Sequence, residues 1–245
     1  NPLTNRIYVG NASSSNVTVI DGSDYTTSTV TVGSGPNDIA VNLITNKIYV
    51  GSGANSYVTV IDGADNSTVH VVTGYFPGSM DVNPVTNKIY VANSSDNKIA
   101  IIDGANNSVT NVVIGGTPRY VAVDASANKI YVGDYDGNYV TAIDGKNNSF
   151  VHINTGLIPS AIAVNPATHK VYVANEDDNN VTIIDGLTNT FVNVPVGTGP
   201  FDVAVNQLTN RIYVPNRVTN NVTVIDGTNN STTSIAVGTS PRKVA

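Results

Sequence analysis

Apolar and polar residues alternate along this chain in short runs, and small polar residues interrupt each run. In one stretch Tyr120-Val121-Ala122-Val123 is followed by a turn at Ala125-Ser126-Ala127, then by Lys129-Ile130-Tyr131-Val132 and a polar loop to Asn138. Val140-Thr141-Ala142-Ile143 makes a third run, and a weaker fourth spans Ser149 to Asn154. A period of two, with Val, Ile, Thr and Tyr in the runs and Asn, Asp and Gly between them, predicts strands and not helices. The pattern returns at a fixed step of 41 residues, carried by Tyr8, Tyr49, Tyr90, Tyr131, Tyr172 and Tyr213. Asp21, Asp62, Asp103, Asp144, Asp185 and Asp226 keep the same step, as do Pro36, Pro77, Pro118, Pro159, Pro200 and Pro241.

Four strands in a unit of roughly 40 to 45 residues are the signature of a propeller blade. The sequence therefore predicts an all-β, six-bladed β-propeller with four antiparallel strands per blade, spanning residues 1–245 as a single domain. The chain begins at the second strand of a blade (Arg6 to Val9) and ends within a first strand (Pro241 to Ala245). The C-terminal strand is thus expected to join the N-terminal strands and close one blade, which removes open sheet edges. The glycine after each repeated Asp is expected to supply a positive φ in a tight turn. The proline opens each inner strand where no ladder donor is needed. The repeated tyrosine is expected to pack between neighbouring blades with its hydroxyl on a loop carbonyl.

Asn83 to Asn93 (Asn-Pro-Val-Thr-Asn-Lys-Ile-Tyr-Val-Ala-Asn), Val222 to Gly227 and Val196 to Val205 carry motifs that recur through all six copies. In these the sequence resembles the YVTN β-propeller repeat of surface-layer-type proteins of archaea and bacteria. The resemblance implies an extracellular or cell-surface module, often one without assigned activity. A related group of propellers includes lyases that use a metal with His and Glu, and no matching constellation is present here.

Charge and residue usage narrow the chemistry. Net charge is −6 with only 12 Lys and Arg, so no basic stripe offers itself to nucleic acid. No apolar run is long enough to span a bilayer, and the absence of Cys excludes disulfides and thiolate chemistry. The chain opens on Asn1-Pro2 without an initiator Met or a signal peptide, which reads as a processed or excised chain. His70 and His152 occupy equivalent outer-strand positions of non-adjacent blades, and His169 replaces an Asn, so the three are not expected to meet at a metal. Asp134, Asp136, Glu176, Asp177 and Asp178 read as a solvated acidic rim. No catalytic residues, metal ligands or cofactor are assigned.

The six copies disagree most where the inner strands begin. Two residues after the repeated proline stand Asp38, Ser79, Tyr120, Ala161, Asp202 and Lys243; one residue after it stand Asn37, Gly78, Arg119, Ser160, Phe201 and Arg242. Asp202, Lys243 and Asp38 fall in consecutive blades of a closed ring, where they form a charged cluster. Asp81 replaces an alanine found in the other five copies, and Arg119 in the next blade is placed to partner it. Asp38, Asp81, Arg119, Tyr120, Asp202, Arg242 and Lys243 are the candidate ligand-binding residues. The sequence thus points to a non-enzymatic binding or scaffold module, with a protein, a cell-surface glycan or a small polar ligand as partner. The alternatives are a sugar-like ligand at the channel mouth and, with less support, a metal-assisted lyase or hydrolase.

Overall fold

Each copy folds as its alternation dictates, because side chains in a strand point to opposite faces in turn. The computed structural model describes residues 1–245, which divide into two compact units, Asn1–Val121 and Ala122–Ala245. In the first unit β1 (Arg6–Asn11), β2 (Asn16–Asp21) and β3 (Thr27–Thr31) form one antiparallel sheet. A second holds β4 (Pro36–Asn42), β5 (Lys47–Ser52), β6 (Tyr57–Asp62) and β7 (Thr68–Val72). A third holds β8 (Pro77–Asn83), β9 (Lys88–Asn93), β10 (Lys98–Asp103) and β11 (Val109–Val113), with a single 3-10 turn at Ser94–Asp96.

The fourth sheet runs β12 (Pro118–Asp124), β13 (Lys129–Asp134), β14 (Tyr139–Asp144) and β15 (Phe150–Asn154). β16 (Pro159–Asn165), β17 (Lys170–Asn175), β18 (Asn180–Asp185) and β19 (Phe191–Pro195) follow as the fifth. β20 (Ala204–Asn206), β21 (Arg211–Asn216), β22 (Asn221–Asp226) and β23 (Thr232–Ala236) make the sixth. Five of the six sheets have the four antiparallel strands expected, and the two middle strands of each are the most buried.

Within each unit the core lies between successive sheets. Tyr49, Val58, Val60 and Val71 of the second sheet pack against Met80, Val82, Ile89 and Val91 of the third. Tyr172, Val181 and Ile183 of the fifth pack against Ile212, Val214 and Ile225 of the sixth. Polar bonds at constant spacing reinforce this stacking. Arg6 Nη1 donates to Gly63 O (2.6 Å), Lys47 Nζ to Gly104 O (2.9 Å) and Lys170 Nζ to Gly227 O (3.0 Å), each 57 residues on. Arg211, in the last copy, pairs with Asp226 of its own sheet (3.0 Å). A second bridge joins amides 45 residues apart, Asn42 to Asn87 and Asn165 to Asn210, both at 2.8 Å.

Two expectations need correction. The glycines after the repeated aspartates do not adopt positive φ; asparagines do, including Asn46 (φ 54°) and Asn66 (φ 62°). What excludes a side chain is proximity: a Cβ on Gly63 would lie 2.5 Å from Asn46 Oδ1 and 2.6 Å from its carbonyl oxygen. Only Tyr131 among the repeated tyrosines donates to a loop carbonyl, Gly186 O at 3.3 Å. The hydroxyls of Tyr8, Tyr49, Tyr90 and Tyr172 are buried without a partner. Burial pushes the phenols of Tyr90 and Tyr172 up to about 12. The sheet of β1 to β3 has three strands, and Pro241–Ala245 belongs to no strand. Side-chain bonds from Asp202, and no backbone ladder, hold that last segment.

Candidate functional site

The residue after each inner-strand proline is where the repeats vary, and the backbone gives a reason for that freedom. The register between β4 and β5 shifts from Pro36↔Ser52 to Asp38↔Gly51, and between β16 and β17 from Pro159↔Asn175 to Ala161↔Ala174. Asn37 and Ser160 are therefore bulged residues, freed from the ladder. In the sixth copy Pro200 makes only an isolated bridge to Asn216, and regular pairing resumes at Ala204. A bulge re-aims the side chain that follows it and leaves the rest of the strand unchanged, so these positions tolerate different residues.

In the first unit Asp38 is half-buried and accepts the N–H of Met80 (2.7 Å) in the next sheet as well as that of Ile39 (3.0 Å). Ser79 repeats this bond one copy later, accepting from Val121 N–H at 3.2 Å. Asp81 accepts from Val82 N–H at 2.7 Å and lies opposite Tyr90 in the ladder. Arg119 is exposed, with its guanidinium 5.8 Å from the centroid of the Tyr120 ring. Asp38 thus carries a structural bond between sheets, a load the repeat comparison did not reveal.

In the second unit Asp202, 9% exposed, accepts from Val244 N–H (3.2 Å) and meets Lys243 Nζ at 3.4 Å. The expected contact of these two charges is present. Beside them Arg242 places its guanidinium 5.3 Å from the Phe201 ring centroid, and Arg217 places its own 5.7 Å from the same ring. Arg217 Nη2 is 2.5 Å from Glu176 Oε1, whose side chain is only 14% exposed. The expected solvated rim therefore fails at Glu176, which is drawn inward by the arginine of the following loop. Asp178 also serves the frame, accepting from Leu157 N–H at 2.9 Å.

Arg217 was missed by sequence reasoning, although a signal existed. Its equivalents are Ala12, Gly53, Ser94, Tyr135 and Glu176, so this loop position varies as widely as the inner-strand position it approaches. Each histidine has its own polar partner. His70 and His152 face Thr59 (3.2 Å) and Thr141 (3.0 Å) and stack on Tyr57 and Tyr139, whereas His169 binds Asp124 at 2.7 Å. No group of three or more His, Asp or Glu side chains is gathered as metal ligands would be. Several perturbed carboxylates belong to turns: the N–H groups of Tyr75, Thr188 and Thr228 hold Asp96, Asp185 and Asp226 below the ordinary carboxylate range.

No family model and no curated protein sequence matches this chain. Its structure is similar to that of hydrazine synthase from Kuenenia stuttgartiensis, with a TM-score of 0.75 and 18% identity over 91% of this chain and 73% of that one. It is also similar to dihydro-heme d1 dehydrogenase NirN in complex with DHE, with a TM-score of 0.80 and 12% identity over 97% of this chain. The match covers 56% of the NirN chain, so the present chain spans little more than half of that protein. At these identities the likeness establishes architecture and not activity. The chain is an all-β protein of propeller type.

Proposed function

We propose that this chain is a non-enzymatic binding module of the YVTN type, acting outside the cell or at its surface. On this reading its six sheets form one six-bladed ring, closed when Pro241–Ala245 pairs along the first blade as its fourth strand. The observation that carries the binding role is the contrast between frame and bulge. Residues of the frame repeat almost unchanged, while the bulged inner-strand position and the neighbouring loop position carry a different residue in nearly every copy. Variation concentrated where the inner strands begin, over a frame that repeats, is the mark of a presented surface and not of a core. Asp81, Arg119 and Tyr120 in the first unit supply charge and an aromatic face suited to a small polar ligand such as a sugar. The turn carboxylates with lowered pKa are accounted for by the frame, which favours binding over acid–base chemistry.

Binding is tested by calorimetric titration of the wild type and of Asp81→Ala/Arg119→Ser with galactose and galacturonate. The double variant introduces residues found at those positions in other copies, so stability should change by about 1 kcal/mol or less. Saturable binding that the variant loses, without turnover of the sugar, is the expected result. Neither sugar binding, or either being cleaved, would refute the reading. Ring closure has its own test. Deleting Pro241–Ala245 should cost several times the ~1 kcal/mol of an ordinary substitution, and unchanged urea unfolding would refute it.

A further inference from the structure

Around the loop residue Arg217, one cluster in the second unit has the chemistry of a defined subsite. Phe201 carries two guanidinium groups on its ring, Arg217 at 5.7 Å and Arg242 at 5.3 Å. Arginine over an aromatic face is partly shielded from water, while the donors at its edge remain directed outward in the ring plane. Glu176 engages Arg217 through Nη2, yet Arg217 Nε is buried without an acceptor. Arg242 is exposed and forms no ion pair. Lys243 adds a third positive charge against Asp202. Three cations therefore face two carboxylates, a local excess of positive charge in a chain of net charge −6.

We infer that Phe201, Arg217 and Arg242 form a subsite for an oxyanion, the carboxylate or phosphate group of a small polar ligand. A planar carboxylate or a phosphate matches the guanidinium fork with two parallel charge-assisted hydrogen bonds, which a neutral hydroxyl cannot supply. Glu176 is a positioning residue: it fixes Arg217 against the ring and leaves Arg242, exposed and outside any ion pair, as the ligand-facing partner. The ring is the platform that holds both guanidinium groups. No other copy can build this arrangement, because Phe201 is the only aromatic residue at its repeat position and Arg217 the only arginine at its own.

This inference rests on the binding role proposed above, and its test separates the two. Galacturonate, galactose and inorganic phosphate are titrated into the whole chain at low salt by calorimetry. Wild type is compared with Arg242→Gln, Arg242→Lys and Phe201→Asn, the last being the residue of the first copy. Galacturonate or phosphate should bind and galactose should bind at least about tenfold more weakly. Arg242→Gln should lower oxyanion affinity about tenfold or more, with Arg242→Lys between it and wild type because charge is kept and the fork is lost. Binding of phosphate without galacturonate assigns the subsite to phosphate, and the reverse assigns it to carboxylate. Equal affinity for galactose and galacturonate, or oxyanion binding unaffected by Arg242→Gln, would overturn the subsite. If that binding is nonetheless lost in Asp81→Ala/Arg119→Ser, the broader binding role survives. Absence of binding to all three probes overturns both.

Discussion

One of the amide bridges between sheets has been replaced by a carboxylate–imidazole hydrogen bond, and this exchange can be reversed by mutation. Asn42–Asn87 and Asn165–Asn210 define the bridge, whereas Asp124 and His169 occupy the same two positions at another junction, 2.7 Å apart. His169 keeps the left-handed conformation of the asparagines it replaces (φ 54°), a region that Asn and His enter more readily than most residues. Asp124 is fully buried and also accepts from Ser126 Oγ (2.6 Å) and Ala127 N–H (3.0 Å). A hydrogen bond to a charged group contributes roughly 1.5–3 kcal/mol. With the imidazole 31% exposed, solvent screening reduces this to about 1–2 kcal/mol.

Asp124→Asn alone should therefore cost about 1–2 kcal/mol, while Asp124→Asn/His169→Asn restores the amide bridge and should lie within about 1 kcal/mol of wild type. The pH dependence has a definite sign. Burial raises the Asp124 pKa, but hydrogen bonds from Ser126, His169 and Ala127 outweigh it and hold the carboxyl below 3.8. Its stabilising contribution is present above the unfolded value of about 3.9 and is lost as pH falls through the lower folded value. Urea unfolding followed by tyrosine fluorescence suits a chain with 12 Tyr and no Trp. The difference between wild type and Asp124→Asn should shrink below about pH 4. A coupling energy near zero in the double-mutant cycle, or a difference independent of pH, would falsify this account.

Other expectations follow from the turns. Tyr25 holds φ 63° and is 78% exposed where the other five copies place Asn, so Tyr25→Asn should raise stability by about 0.5–1 kcal/mol in the same urea assay. Gly63→Ala should destabilise by about 1–3 kcal/mol, because the new Cβ meets Asn46 from two sides; a neutral outcome would show that the hairpin yields. Of the ten Asn-x-Ser/Thr sequons, Asn106, Asn147 and Asn229 are exposed and spend only their Oδ1 on the turn. Asn93 is fully buried. Secretion from a glycosylating host should modify those three and spare Asn93, as peptide mass spectrometry would read directly.

The strands were legible because alternation and the step of 41 residues encode them redundantly: Lys129–Asp134 and Tyr139–Asp144 lie where the pattern placed them. The fourth strand of the first sheet was inferred from topology, and nothing local in Pro241–Ala245 obliges it to join a ladder. The glycine role was misassigned because Asp-Gly is a frequent turn signal, whereas the constraint at Gly63 is a steric one, set by Asn46 a strand away. Variability among copies found Asp202 and Lys243, which meet, and Arg242 and Phe201, which stack. It passed over Arg217 because loop residues were judged by charge alone. Glu176 looked like a surface acid until its partner, 41 residues on, was placed beside it.

The bonds from Arg6, Lys47 and Lys170 to glycine carbonyls 57 residues ahead also bear on how such a chain arises. Donor and acceptor sit at fixed places in successive copies, so the copy that holds Lys47 and Gly63 carries one half of the bond behind it and one half of the bond ahead. Duplication or loss of a whole 41-residue copy preserves both halves and needs no new interface. A cut within a copy leaves a cation without its carbonyl. Gene rearrangements that keep the copies whole should therefore be tolerated, and the number of sheets becomes a quantity that evolution can change in single steps.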